Sequence, residues 1–176
     1  MINLSRVLTV FVLSATLFAG CGPSKKQLEQ QQKQLEQQQK QLEQQQKQQN
    51  VVIVRKIMAL ANANTREAKT SNEVNRMMSA KLDEARVLEA EYQGPERQQF
   101  SEDVTKLFKD ATLMGVMNRL YHDALGNSLQ ASQSSSATLK ASASKYLEET
   151  GDRAVAYGKT YTETIKLMKS KYLGEN

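Results

Sequence analysis

FSEDVTKLFKDATLMGVMNRLYHDAL, residues 100–125, decides the fold. Phe100, Val104, Leu107, Phe108, Ala111, Met114, Met117, Leu120, Tyr121 and Ala124 recur every three or four residues. That is the 3.6-residue period of an amphipathic helix, and no alternation of period two competes with it. Gly94-Pro95 before the stretch and Gly126-Asn127 after it are helix punctuation. The spacing predicts a helix over 95–125, the most apolar in the chain and the centre of its core.

The same period continues on both sides. Downstream, Ala154, Tyr157, Tyr161, Ile165, Met168 and Tyr172 mark a helix over 128–173, entered through a Ser- and Ala-rich stretch. Ala137, Ala141 and Ser144 offer small side chains for a close helix approach there. Upstream, Val74, Met78, Ala85, Leu88 and Tyr92 form a stripe. Val51-Val52-Ile53-Val54 is β-branched, yet Ile57, Met58, Leu60 and Ala61 carry it on at helical spacing. One long helix over 25–92 results, and Thr70-Ser71-Asn72-Glu73, the pattern of a capping box, leaves open a break or restart within it. The expected fold is all-α. An antiparallel three-helix bundle over residues 51–176 becomes a four-helix one if Gly151 divides the last segment.

Residues 25–50 are different in kind. Lys26-Gln27-Leu28-Glu29-Gln30-Gln31-Gln32 repeats from Lys33 and again from Lys40 without an error, and 14 of the 26 residues are Gln. All of these residue types form helix readily. Seven is the coiled-coil period, but Leu28, Leu35 and Leu42 supply one apolar residue per heptad where a seam needs two. Two readings stand side by side: a loose, weakly homo-oligomeric coiled coil, and a solvated helical spacer. Glu29–Lys33, Glu36–Lys40 and Glu43–Lys47 support the single helix by a few tenths of a kcal/mol each.

The N-terminus is an address. After Arg6 comes an apolar run over residues 7–19, about 20 Å as a helix and shorter than the ~30 Å of a bilayer core. A charged start, an apolar middle and small residues at the end describe a secretory signal over residues 1–20. Its last residues, Leu17-Phe18-Ala19-Gly20-Cys21, resemble the lipobox of bacterial lipoproteins. Phe18 stands where that family most often has Leu. The resemblance implies cleavage between Gly20 and Cys21, an S-diacylglyceryl group on Cys21 and N-acylation of its new amine. Residues 21–24 then form a lipidated linker. Several acyl chains give firm attachment where one does not. In enterobacterial lipoproteins an Asp after the cysteine favours the inner membrane. Gly22 stands here, which implies the outer membrane of a Gram-negative envelope, facing the periplasm in preference to the cell surface.

Little in the rest points to chemistry. A single Cys excludes an internal disulfide and a Cys-based zinc site, and a single His excludes a multi-His metal centre. His122 precedes Asp123, but neighbours on a helix diverge by about 100° and do not orient one another. Asp83-Glu84 and Glu148-Glu149 read as solvated faces, and the Ser-rich run has no base beside it. Residues 51–176 hold 18 Lys and Arg against 16 Asp and Glu, too balanced for nucleic acid. Lys159, Lys166, Lys169 and Lys171 make a mildly basic C-terminal end, read as solvated, with an anionic surface as the alternative. No catalytic residue, cofactor or metal is expected. The functional expectation is a lipid-anchored envelope protein without catalysis, whose bundle binds another envelope component. The alternatives are an accessory or exclusion lipoprotein of a secretion, conjugation or phage-related system and, less favoured, an envelope-polymer enzyme.

Overall fold

A computed structural model describes residues 25–175. The signal segment, Gly20 and Cys21 lie outside them. The described chain is an all-α helical bundle with no strand. It divides into two compact units, Met1–Leu42 and Glu43–Asn176. Four helices follow one another: α1 (Lys25–Ala61), α2 (Ser71–Glu91), α3 (Arg97–Ser132) and α4 (Ala137–Met168). A 3-10 turn, Thr65–Glu67, lies between α1 and α2, and a π-helical turn, Lys169–Leu173, ends α4. Among the described residues no helix is long and apolar enough to cross a membrane.

In the first unit the repeat is helical, and its residues from Lys25 to Leu42 are exposed. Leu28, Leu35 and Leu42 keep 51%, 65% and 41% of their surface. Lys40 Nζ meets Glu36 Oε1 at 2.7 Å, one of the three intrahelical pairs the spacing offers.

The second unit is built on the stripes that the sequence marks. Phe100, Val104, Leu107, Phe108 and Ala111 of α3 are buried, as are Val74, Met78 and Ala85 of α2 and Ile53, Val54, Ile57, Met58 and Ala61 of α1. Tyr161 and Met168 of α4 close the same core. Neighbouring helices run antiparallel. Gln46 in α1 bonds to Gln93 just past the end of α2. Arg86 in α2 reaches Ser101 and Thr105 near the start of α3. Asp103 near the start of α3 meets Tyr172 beyond the end of α4.

Two boundaries that the sequence left open are decided, and two others differ from expectation. The long first helix does break at the capping box: Thr70 Oγ1 accepts from the Glu73 N–H, while Glu73 Oε2 accepts from the Lys69 N–H. This break makes the fourth helix. Gly151 does not. It lies inside α4 where a Cβ would stand 3.3 Å from the Tyr121 ring, so the missing side chain serves the close approach of α3 and α4. Gly126-Asn127 does not close α3, which runs on to Ser132, because one glycine inside a helix costs only about 1 kcal/mol relative to Ala. The last helix starts at Ala137, capped by the Ser136 hydroxyl accepting from the Leu139 N–H, instead of at Ser128.

The small residues Ala137, Ala141 and Ser144 are exposed and make no close helix contact. The small buried residues at that end are Ala124 and Ala131, on α3. Thr65 and Val74, where α1 gives way to α2, face Gly115. Beyond that level α3 and α4 continue as a two-helix hairpin, about 20 Å from Arg119 to Ser132 at 1.5 Å per residue.

Candidate functional site

The densest polar arrangement gathers where the α2–α3 connection meets the end of α4. Tyr92 stacks on Phe100 at a centroid distance of 4.0 Å, and Tyr172 stands edge-on to both. Edge-to-face and offset stacks suit the quadrupoles of these rings. Gly94 has no side chain because a Cβ there would overlap the Tyr92 ring. The connection is pinned to α1, where Asn50 Oδ1 accepts from the Gln93 N–H at 3.0 Å. At the other end, Gly174 adopts the left-handed φ of 66° that glycine tolerates best. The chain there turns so that Glu175 bonds Arg55 of α1 at 3.0 Å.

The charged groups of this corner face one another. Asp103 Oδ2 accepts from the Tyr172 hydroxyl at 2.6 Å and from Lys171 Nζ at 3.1 Å. Lys171 Nζ also meets Glu96 at 3.3 Å. Burial pushes the Asp103 carboxyl up, but the bonds from Tyr172, Lys171 and Gln99 outweigh it and hold the acid below its usual range. Burial raises the Tyr172 hydroxyl, and its bond to Asp103 raises it further. Desolvation opposes the charge on Lys171, yet Tyr172, Asp103 and Glu96 together push its pKa up. Two of the four C-terminal lysines are tied to acids, while Lys159 and Lys166 are exposed on α4. Lys171 is bound to acids, and Lys169 lies 3.9 Å from Glu175.

A second polar contact crosses between α3 and α4. Lys106 donates to Thr164 Oγ1 at 2.8 Å, and Thr164 donates to the buried Asp110 at 2.7 Å. The Tyr161 hydroxyl is buried nearby in sequence without a partner, and burial raises its pKa.

A cavity of about 490 Å³ opens beside the aromatic corner, bounded by Lys47, Asn50, Glu96 and Lys171. Of the groups at this corner, Asp103 is held toward its ionised form, and Lys171 and Tyr172 toward their protonated forms. Such groups hold a structure or a ligand by hydrogen bonds. A larger groove of about 670 Å³ lies between α1 and α2, floored by Ala59, Leu60, Ala63, Val87 and Leu88.

The residues weighed from sequence are not brought together. His122 is exposed on α3, its ring 6.1 Å from Tyr121, and Asp123 pairs instead with Arg119 one turn back. Glu84 pairs with Lys81, and Glu149 lies 3.9 Å from Lys145. Among the described residues no three His, Cys, Asp or Glu side chains gather as for a metal ion. The polar residues that do meet, Asp103 with Tyr172 and Lys171 and Asp110 with Thr164, were hidden inside helix faces. The readable signal was Asp110 itself, a carboxylate between Phe108 and Ala111 on an otherwise apolar stripe. The chain matches no protein-family model, no curated relative and no solved structure.

Proposed function

We propose that the protein is a lipid-anchored envelope lipoprotein whose helical bundle binds another envelope component and carries out no catalysis. The anchor rests on Leu17-Phe18-Ala19-Gly20-Cys21 and its resemblance to a lipobox. Lipid on Cys21, with cleavage after Gly20, ties the chain to the outer membrane on its periplasmic side. Residues 25–42 act as a spacer.

The observation that carries the binding role is the set of aliphatic side chains left in solvent on the α3–α4 hairpin. Leu125, Leu129, Leu139 and Val155 are all exposed, up to 74% for Val155. Single exposed leucines are ordinary, but Leu125 and Leu129, one turn apart on α3, with Leu139 just across the connection on α4, offer the anchors that protein interfaces use.

The test is photo-crosslinking in living cells from a reactive residue placed at 129, 139 or 155. Capture of a defined envelope protein, lost on Leu129→Ser, is the expected result. Uniform labelling of unrelated neighbours from all three positions would reject the hairpin as a docking surface.

A further inference from the structure

The face of α3 that packs beneath α2 continues past the point where α2 begins. Taken every seven residues, one row of that face is Val104, Ala111, Asn118 and Leu125, and the row beside it is Phe108, Gly115, His122 and Leu129. A seven-residue interval keeps a side chain on one side of a helix to within about 20°. In each row the first two residues are buried and the last two are exposed. The cover ends at Gly115, where Val74 of α2 and Thr65 of the 3-10 turn close over the helix. Beyond it the two rows run on to Leu129, about 21 Å at 1.5 Å per residue.

The flank of the face repeats the same device. Arg86 of α2 bonds Thr105 there, and three intervals of seven further on the flank carries Gly126. A Cβ at Gly115 would stand 2.9 Å from the Val74 side chain, so that glycine admits the first turn of α2. A Cβ at Gly126 would meet nothing within 4 Å. Glycine weakens a helix interior, and at Gly115 a close contact offsets the loss. Gly126, about three turns on, has no such contact among the described residues. The charge pattern limits what could supply one. Asn118, His122, Leu125, Gly126 and Leu129 include no acid, Lys or Arg, and the nearest charges, Arg119 and Asp123, neutralise each other.

We propose that the uncovered face of α3, from Asn118 to Leu129, receives an α-helix of the envelope partner, laid along α3 as the first turns of α2 are and crossing closely at Gly126. This rests on the reading of the hairpin as a docking surface and names what fits it. Only a helix repeats its side-chain rows at the three- and four-residue interval of Asn118, His122, Leu125 and Leu129. Its docking side is apolar and uncharged, since a buried charge would find no counter-charge on this face. About three turns, some 11 residues, cover the rows from Asn118 to Leu129.

The experiment uses the full chain in living cells, with a photo-reactive residue placed in turn at 118, 122, 125 and 129, at 127 and 130 off the face, and at 139 and 155 on α4. Captured peptides are sequenced by mass spectrometry. The expected result is one defined protein, captured from the four face positions several-fold more than from 127 and 130, at partner residues three or four apart. Gly126→Leu should lower that capture several-fold while the melting temperature of the purified chain stays the same or rises. Capture from 139 and 155 alone would leave the hairpin a docking surface and overturn the helix on α3. So would partner sites two residues apart or scattered, undiminished capture in Gly126→Leu, or a product of twice the chain's own mass, which would show a second copy. No defined protein from any position would reject the docking surface itself, and this proposal with it.

Discussion

The two halves of α1 contain similarly helix-prone chain and fare differently. From Lys25 to Leu42 every side chain is exposed, whereas the second half buries Ile53, Val54, Ile57, Met58 and Ala61. Backbone geometry does not separate them. Apolar density does. One leucine in seven leaves a helix nothing to pack with, while Ile53, Val54, Ile57 and Met58 give a stripe of two residues per turn. Each such burial contributes about 1.5–3 kcal/mol, against a few tenths for a Glu–Lys pair in the repeat. Helix propensity writes the secondary structure of the first half, and packing holds the second.

The largest effect that would sharpen this contrast is in the core. Phe100→Ala removes a fully buried ring that stacks on Tyr92, and a loss of about 3–5 kcal/mol is expected in urea or thermal unfolding. A cost below 1 kcal/mol would mean that the corner is not packed as described.

The clasp at the end of α4 comes next. Asp103→Asn should cost roughly 1–3 kcal/mol at neutral pH, because Tyr172 and Lys171 lose a charged acceptor. Its pH dependence has a definite sign. The folded pKa of Asp103 is depressed, so its contribution is present above the ordinary carboxylate range and disappears as pH falls through the folded value. Lys171 and Tyr172 are raised, so their contributions are intact below about 10, the ordinary value of either group, and are lost as pH rises through the folded values. Stability should be flat across neutral pH and fall at both ends, and Asp103→Asn should flatten the acid limb.

Two tyrosines separate a satisfied from an orphaned hydroxyl. Tyr172→Phe should lower stability by about 1 kcal/mol, while Tyr161→Phe should raise it by about as much, since it removes a buried hydroxyl without a partner. Equal losses in both would show that Tyr161 is hydrogen-bonded in solution.

The smallest effect belongs to the repeat. Deleting residues 33–39 should leave the unfolding midpoint of the bundle within the reach of about 0.5 kcal/mol expected for surface changes. A large drop would show that the repeat takes part in the core.

Much of the fold was legible because its stripes are long and regular. Phe100 to Ala124 reads as one helix face, and Thr70-Ser71-Asn72-Glu73 marks the break that divides α1 from α2. The glycines were harder to read. Gly126 and Gly151 look like ends, yet neighbouring helix turns carry the chain through them, and Gly151 serves contact with Tyr121. The site was less legible than the fold. Asp103 and Lys171, like Asp110 and Thr164, are separated by dozens of residues, and each meeting depends on the antiparallel register of α3 and α4, which no local pattern encodes. Cys21 was the reverse case: a short linear signal marks it, and it lies outside the described residues.

The proposed anchoring of the bundle through Cys21 is tested most directly by labelling cells with radioactive palmitate and weighing the mature protein. The expected result is a labelled, membrane-recovered chain that begins at Cys21 and carries acyl mass, with label and membrane recovery both lost in Cys21→Ala. A chain that retains Met1 without lipid, or label that persists in Cys21→Ala, would contradict it.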